Sequence, residues 1–204
     1  MKTLLVIATS NKGKVKDFEG ILGSDSFEYQ TLKDIGFSRE IEENATTFRG
    51  NAVIKAKAVA AYLKEREIPA WVLADDSGLE VFALNNEPGV LSARYAGVHG
   101  NDDLNNQLLL KNLKGVTDRR ARFVCALALL HSFKSQEPFL FEGECRGQIA
   151  EETKGTNGFG YDSLFIPEGY SETFGELSFG IKKSMSHRAN AIKKLFENIG
   201  ILKK

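Results

Sequence analysis

The segment Trp71–Gly78 reads Trp-Val-Leu-Ala-Asp-Asp-Ser-Gly and places two adjacent carboxylates directly after a short apolar run. The run Trp71–Ala74 is typical of a buried strand, and Gly78 then predicts a turn. Because neighbouring strand residues point to opposite faces, Asp75 and Asp76 need not share one role. A carboxylate at the end of a buried strand is costly unless a cation compensates it, and Mg²⁺ would also hold a phosphate-bearing substrate. Asp75–Gly78 taken alone nevertheless favours an acidic turn that caps its own backbone.

A second candidate site follows the first predicted strand, Leu4–Ala8. The loop 9–14 reads Thr-Ser-Asn-Lys-Gly-Lys, and apolar residues then recur at helical spacing. Backbone N–H groups and the helix dipole favour an anion at a helix N-terminus. The loop is not a Walker A motif, because Ala8 and Val15 stand where Gly and Ser or Thr are required. An ordinary helix cap with solvated lysines explains the same residues equally well.

Two further segments lie in the C-terminal half. Gly155–Asp162 combines three glycines with two aromatic residues, which allows the backbone to approach a ligand while a ring stacks on a base. Lys182–Arg188 is predicted to open a helix whose core face contains Ile192, Leu195, Phe196 and Ile199. Cations near a helix N-terminus suggest an anionic partner. Each segment alone fits a glycine turn or a solvated basic patch, but four such segments in one chain favour a phosphate-bearing ligand.

The composition agrees with a compact globular protein. The chain has 204 residues, enough to bury a substantial core, with 27 basic and 27 acidic side chains. This balance argues against a dedicated nucleic-acid binder. No apolar stretch reaches the length of a membrane span, and Leu4–Ala8 is too short for a signal-peptide core, so we expect no membrane partner and a cytoplasmic location. Cys125 and Cys145 lack metal-ligand spacing and are interpreted as reduced core thiols.

Helices and strands are predicted to be mixed along the chain. Besides the segments above, strands are expected over residues 27–31, 122–130 and 139–149, and Leu79–Phe82 continues the sheet past the turn. Helices are expected over residues 48–63 and 104–113, the second capped by Asn101 or Asp102. This arrangement predicts an α/β fold with a central mixed sheet.

Taken together, these motifs resemble the inosine triphosphate pyrophosphatase family, also called the non-standard purine NTP pyrophosphatases. The resemblance covers nearly the whole chain in family order: Ala8–Lys14, Phe48–Ala52, Leu73–Leu79, Pro88–Val90, Ser92–Gly97, Gly158–Asp162, Leu164–Phe165 and Ser186–Arg188. It implies a single domain over residues 1–204, with an elongated curved mixed sheet, flanking helices and two lobes around a substrate cleft. It also implies a homodimer.

The resemblance implies a reaction and its catalytic groups. ITP, dITP or XTP is hydrolysed between the α and β phosphates to the monophosphate and pyrophosphate, with Mg²⁺ as cofactor, which cleanses the nucleotide pool. Asp76 is then the catalytic carboxylate and a metal ligand. Glu42 matches a metal-binding position, and Glu43 is able to replace it. Glu40 is interpreted as solvated.

The resemblance also implies a set of substrate contacts. Within the phosphate loop, Asn11 and Lys14 are the favoured side-chain ligands. Phe159 is the stacking ring, and His187 with Arg188 reads the base, whereas Lys183 is solvated. The predicted substrate-binding residues are Thr9, Ser10, Asn11, Lys12, Gly13, Lys14, Lys55, Ser77, Phe159, Gly160, Tyr161, Asp162, Lys182, His187 and Arg188.

Two alternatives remain open at this point. A pyrimidine or methylated-nucleotide pyrophosphatase would share the architecture, although Ser186–Arg188 favours a purine. A non-catalytic nucleotide- or RNA-binding module would retain the site without the chemistry, although the balanced charge and the carboxylate set weigh against it.

Overall fold

Strands and helices are mixed along the chain in the computed structural model, which describes residues 2–22 and 27–198. Its strands are β1 (Thr3–Ala8), β2 (Phe27–Thr31), β3 (Trp71–Val81), β4 (Arg120–His131), β5 (Phe139–Ile149) and β6 (Phe165–Pro167). Its helices are α1 (Lys12–Leu22), α2 (Phe48–Glu65), α3 (Asp102–Asn112), α4 (Phe179–Met185) and α5 (His187–Glu197). Short 3-10 helices span Phe82–Leu84 and Gly89–Arg94. The predicted α/β class is confirmed.

The strands form one sheet in the order β2-β1-β3-β4-β5-β6. β1 runs parallel to both β2 and β3, with Thr3 opposite Phe27 and Leu5 opposite Trp71. Parallel neighbours need a long crossover connection, and helices α1 and α2 supply it. β5 and β6 are antiparallel, so the sheet is mixed, as predicted.

The chain divides into two compact units. The first unit comprises Met1–Asp76, Cys125–Glu142 and Ala191–Lys204, and the second comprises Ser77–Val124 and Gly143–Asn190. Each has its own apolar core. The core of the first unit includes Leu5, Ile7, Phe18, Leu73, Leu127 and Ile192. The core of the second unit includes Leu79, Val81, Leu109, Phe123, Ile149 and Phe165.

β3 differs from its prediction. The turn expected at Gly78 is wrong, because the strand continues without a break from Trp71 to Val81. Asp75 and Asp76 therefore lie in the middle of a strand, with only 1% and 8% of their surface exposed. A strand ladder needs only backbone groups, so the short polar stretch between two apolar runs is tolerated where the carboxylates are compensated.

The C-terminal helix is two helices. α4 ends at Met185, and Ser186 has an extended backbone with φ −62° and ψ 158°. The Ser186 hydroxyl then accepts the backbone N–H of Ala189, as an N-terminal cap does. The predicted core residue Ile199 lies outside the described residues.

The break at Ser186 places the four basic residues on two different helices. Lys182 and Lys183 occupy the last turn of α4, where the helix dipole favours cations, so their predicted placement at a helix N-terminus is wrong. His187 and Arg188 do open a helix, α5.

Two other expectations can be compared with the structure. Cys125 and Cys145 are both buried as reduced thiols, as predicted. Among the residues that the structure describes, none of the helices has the length and apolar character needed to cross a membrane.

Candidate active site

The predicted phosphate loop, residues 9–14, joins β1 to α1 in the first unit. The Asn11 side chain accepts the backbone N–H of Lys14 at 3.1 Å, and the Thr9 hydroxyl accepts that of Asn11 at 3.2 Å. Asn11 is therefore the cap of α1. The first N–H groups of a helix have no partner within the helix, so those of Lys12 and Gly13 suit an anion. Ser10 and Lys12 are exposed beside them.

Lys14 is held by Asp75 through an ion pair between Nζ and Oδ1. The Asp75 side chain is fully buried, and its other oxygen accepts the thiol of Cys125 at 3.2 Å. Lys14 retains some exposure, with 14% of its side chain accessible. Asp75 thus fixes the lysine at the end of the phosphate loop.

Asp76 takes part in a separate set of contacts in the same unit. Its Oδ2 accepts the Asn51 side-chain amide at 3.1 Å, and its Oδ1 lies 3.2 Å from the Lys55 ammonium. The same ammonium donates to Glu43 at 2.7 Å. Asn51 is itself fixed, because its carbonyl oxygen accepts the backbone N–H of Ala45 at 2.9 Å. The adjacent carboxylates of β3 therefore have different partners, as the strand alternation predicted.

The electrostatics of this cluster favour a basic Asp76. Burial raises the pKa of Asp76 above 3.8; Lys55 and Lys14 oppose the rise, and the neighbouring carboxylates add to it. Burial alone would lower the pKa of Lys55, but Asp76, Glu43 and Asp75 together raise it. The ammonium therefore stays charged, while the Asp76 carboxylate keeps a high proton affinity.

The donor set is compatible with a divalent cation. Glu43 and Asp76 already converge on one positive charge, and carboxylate oxygens are the ligands that Mg²⁺ prefers. Glu43 is half-buried at this cluster, whereas Glu42 and Glu40 are exposed. Within residues 2–22 and 27–198, no group of three or more His, Cys, Asp or Glu side chains is arranged to hold a metal. Glu43 and Asp76 are the two carboxylates of this cluster that could hold such an ion.

In the second unit, Asp162 organises the glycine-rich segment. Its Oδ2 accepts the backbone N–H of Phe159 at 2.9 Å and the Lys182 ammonium at 2.5 Å. The Lys182 ammonium also lies 4.9 Å from the centre of the Phe159 ring. Gly158 is required here, because a Cβ at this position would lie 2.0 Å from Asp162 Oδ2.

Arg188 and His187 are both buried in the second unit. Arg188 donates from Nη2 to the Ser77 hydroxyl at 2.9 Å, and its guanidinium lies 5.9 Å from the Phe159 ring centre. Ser77 lies within β3 and so is not part of a turn, in contrast to the turn predicted at Gly78. The His187 ring stacks on Phe123, with ring centroids 4.8 Å apart and an interplanar angle of 17°.

The contacts of Tyr161 are those of a core residue. Only 3% of its surface is exposed, and its hydroxyl donates to the carbonyl of Ser92 at 2.9 Å. The assignment of Tyr161 to the substrate stays a prediction.

Sequence reasoning gave no role in the site to three residues that the structure places at these clusters. Asn51 holds Asp76, and Asp102 and Asn106 both hydrogen-bond to the backbone of Gly160. Asn51 had a signal, because it lies in the motif Phe48–Ala52. The other two are ordinary polar residues of a helix, with no local pattern that marks them.

Comparisons with known proteins identify the family of this chain. The model of the Ham1 family matches residues 5–198. The chain is similar to the dITP/XTP pyrophosphatase of Bacillus licheniformis, with 48% identity over 94% of this chain and 95% of the relative. It is 43% identical to that of Clostridium tetani, over 98% and 96% of the two chains. The solved structure of the Staphylococcus aureus Ham1 protein has a TM-score of 0.84 and 40% identity, over 97% and 98% of the two chains. These matches confirm the resemblance that the motifs predicted, and the chain therefore belongs to the Ham1 family.

Proposed function

We propose that this protein hydrolyses non-standard purine nucleoside triphosphates, namely dITP, XTP and ITP, to the monophosphate and pyrophosphate. The observation that carries the proposal is the buried carboxylate of Asp76, held by Asn51 and Lys55 in a chain of the Ham1 family. Relatives at up to 48% identity bear the name dITP/XTP pyrophosphatase, which places the reaction among hydrolyses of acid anhydrides.

Asp76 acts as the proton acceptor for the attacking water in this proposal. A general base works best when its pKa approaches the working pH, and burial moves the Asp76 pKa in that direction. The contacts from Asn51 and Lys55 fix both of its oxygens, so the carboxylate is oriented before substrate arrives. Little covalent chemistry is required of the protein beyond this, because phosphoryl transfer depends mainly on positioning and charge neutralisation.

Lys14, Lys55 and the backbone of residues 9–14 neutralise the phosphate chain. Lys14 is anchored by Asp75 and remains partly exposed, so its ammonium can contact an anion without losing its orientation. Lys55 is anchored in the same way by Glu43 and Asp76. Pre-oriented cations lose little conformational freedom on binding and therefore add more to the stabilisation of the transition state.

Mg²⁺ is the proposed cofactor, with Asp76 and Glu43 as its ligands. When bound, it would neutralise phosphate charge and polarise the bond that breaks. Glu43 is favoured over Glu42 because Glu43 already contacts Lys55 at 2.7 Å, whereas Glu42 is exposed. Glu43→Gln should raise the Mg²⁺ concentration needed for half-maximal activity, and Glu42→Gln should leave it near that of the wild type. The reverse result would make Glu42 the ligand.

The second unit carries the proposed base contacts. Hypoxanthine and xanthine have a carbonyl acceptor at position six, where adenine has an amino donor. We propose Arg188 as the donor aimed at this position. Hypoxanthine and xanthine accept its hydrogen bond, whereas adenine leaves the donor without an acceptor. Phe159 stacks on any base and adds affinity without selecting among them.

Product analysis tests the proposed reaction. Purified protein with Mg²⁺ and ITP should give IMP and pyrophosphate in chromatography, with dITP and XTP also cleaved. IDP as the first product would refute the position of cleavage. A panel with the eight common nucleotides tests the alternatives: preference for a pyrimidine substrate or the absence of any turnover would replace the proposal.

We also propose that the protein is a homodimer, on the resemblance to the family. Light scattering coupled to size-exclusion chromatography should give twice the chain mass of 22.5 kDa. A single-chain mass across the concentration range of the assay would remove the dimer from the proposal.

A further inference from the structure

The first turns of α3 hold both backbone groups of Gly160. The carboxylate of Asp102 accepts the Gly160 N–H at 2.7 Å, and the Asn106 side-chain amide donates to the Gly160 carbonyl at 3.0 Å. The two side chains are four residues apart and so share one face of the helix. This pair of contacts is here called the Gly160 clamp. It satisfies both the N–H and the carbonyl of Gly160, as a neighbouring strand satisfies the backbone of a paired residue.

Helix capping does not explain Asp102. Asn101 is the N-terminal cap of α3, with its side chain accepting the backbone N–H of Leu104 at 3.0 Å. The Asp102 carboxylate is therefore available for the loop. The next buried amide, Asn105, binds a different segment by accepting the N–H of Ala96 at 2.8 Å.

Asn106 is held at a cost in stability. Only 6% of its surface is exposed, and its Oδ1 is buried with no hydrogen-bond partner among the residues that the structure describes. An unsatisfied buried acceptor destabilises the folded state, and an apolar side chain would avoid that cost. A polar residue at such a costly position indicates a requirement other than stability. The hydrogen bond from Asn106 to Gly160 is a contact that explains this requirement.

The clamp acts on the residues next to Phe159. Gly158 and Gly160 have φ values of +81° and +62°, and glycines on both sides of the ring give this segment unusual backbone freedom. The Phe159 N–H is fixed by Asp162, while Gly160 is fixed only from α3 among the contacts described for its backbone. Without the clamp, binding a base would have to order the segment as well as contact it.

We propose that Asp102 and Asn106 are positioning residues that order residues 158–162 before nucleotide binds, and so set nucleotide affinity through Phe159. The inference rests on the proposed function, since it assigns Phe159 to the base. Loss of the clamp should raise KM for dITP by about ten-fold, the effect of one buried hydrogen bond, with kcat nearly unchanged.

Asn106→Leu and Asn105→Leu form a matched pair on one helix. Both remove a buried amide that hydrogen-bonds to loop backbone. Because Asn106→Leu also removes the buried Oδ1 that has no partner in the described part of the chain, it should lower the unfolding midpoint less than Asn105→Leu does. Only Asn106→Leu should raise KM for dITP and speed amide hydrogen exchange in residues 158–162. Equal changes in KM for the two variants, or an unchanged KM with faster exchange, would overturn the inference.

Asp102 gives a second test that does not depend on Asn106. Asp102→Ala removes the acceptor and should raise KM, whereas Asp102→Asn keeps an oxygen in place and should restore KM toward that of the wild type. A high KM in both variants would instead assign the effect to charge, and the clamp would be wrong. A wild-type protein that releases no pyrophosphate from dITP refutes the proposed function, whereas normal wild-type turnover with unaffected clamp variants refutes the clamp alone.

Discussion

Asp76→Asn is the sharpest test of the site, because it removes one charge and the proton acceptor while preserving shape. Asn51 lies 3.1 Å from one oxygen of Asp76, and Lys55 lies 3.2 Å from the other. A substituted amide fits the same space. Lys55 keeps Glu43 as an anionic partner at 2.7 Å, so no buried charge is left alone.

The expected loss of activity follows from the role of a general base. Such groups contribute roughly 10²- to 10⁴-fold to rate, so kcat of Asp76→Asn should fall by about this factor. Because a general base contributes only in the transition state, kcat and kcat/KM should fall together at saturating Mg²⁺, while KM changes little.

Asp76→Asn should lower activity, but it should increase the stability of the folded protein relative to wild type as pH rises. The pKa of Asp76 in the folded protein lies above its ordinary value of 3.8, mainly because of burial. The folded state therefore binds this proton more tightly than the unfolded state, and the wild type loses stability as pH rises through the folded pKa. Asn does not titrate. In metal-free protein, the free energy of unfolding of the variant relative to wild type should thus increase with pH, by about 1.4 kcal/mol for each unit of pKa shift.

Asp118→Asn is the matched control for both measurements. Arg120 lowers the pKa of the exposed Asp118 to about 2, so this carboxylate contributes stability that is present above its unfolded pKa and is lost as pH falls. The control should keep full turnover, and its relative stability should decrease as pH rises. Urea unfolding at several pH values, with pyrophosphate release, gives both quantities. Near-normal turnover in Asp76→Asn would refute the catalytic assignment, and a pH trend like that of the control would refute the pKa argument.

Three further outcomes are expected. Arg188→Ala should lower the ITP-to-ATP ratio of kcat/KM by roughly ten- to hundred-fold, because a buried donor without an acceptor costs ~1–3 kcal/mol. Phe159→Ala should weaken the binding of both substrates alike. An unchanged ratio in Arg188→Ala would make Arg188 a structural residue. Gly155→Ala should strongly lower the urea midpoint, because its Cβ would lie 2.0 Å from the Gly175 carbonyl, while Gly169→Ala, also at positive φ but in open space, should cost only about 1–2 kcal/mol. Burial raises the pKa of Cys145 to about 12, so iodoacetamide at pH 8 should label it in unfolded protein only, and rapid labelling of the native state would contradict its burial.

Local patterns were sufficient for much of the fold. The strand predicted over Phe27–Thr31 has the observed bounds of β2, and the apolar spacing from residue 48 predicted α2. The cap of α3 was one of the two residues named, Asn101. These features depend on contacts within one turn or one strand, and such contacts are encoded by neighbouring residues.

The wrong predictions concern local structure that depends on residues distant in the sequence. The sequence of β3 indicated a turn because two carboxylates and a glycine interrupt an apolar run. The strand nevertheless continues, because β3 lies between β1 and β4 in the sheet and because lysines compensate both carboxylates. The break between α4 and α5 was missed, although Ser186 has the residue type of a helix cap. A serine inside a helical pattern is compatible with either state, and packing selects between them.

The amino-acid sequence by itself determined the class of the fold and the family, and it predicted candidate residues for the chemistry. It could not assign their partners. Asp75 is matched to Lys14 and Cys125, Asp76 to Asn51 and Lys55. These pairings bring together residues that are far apart in the chain, and their strength depends on distance in space and on exclusion of water. Both quantities exist only in the folded protein, so tertiary structure decided which of the two adjacent aspartates holds Lys14 and which contacts Asn51 and Lys55.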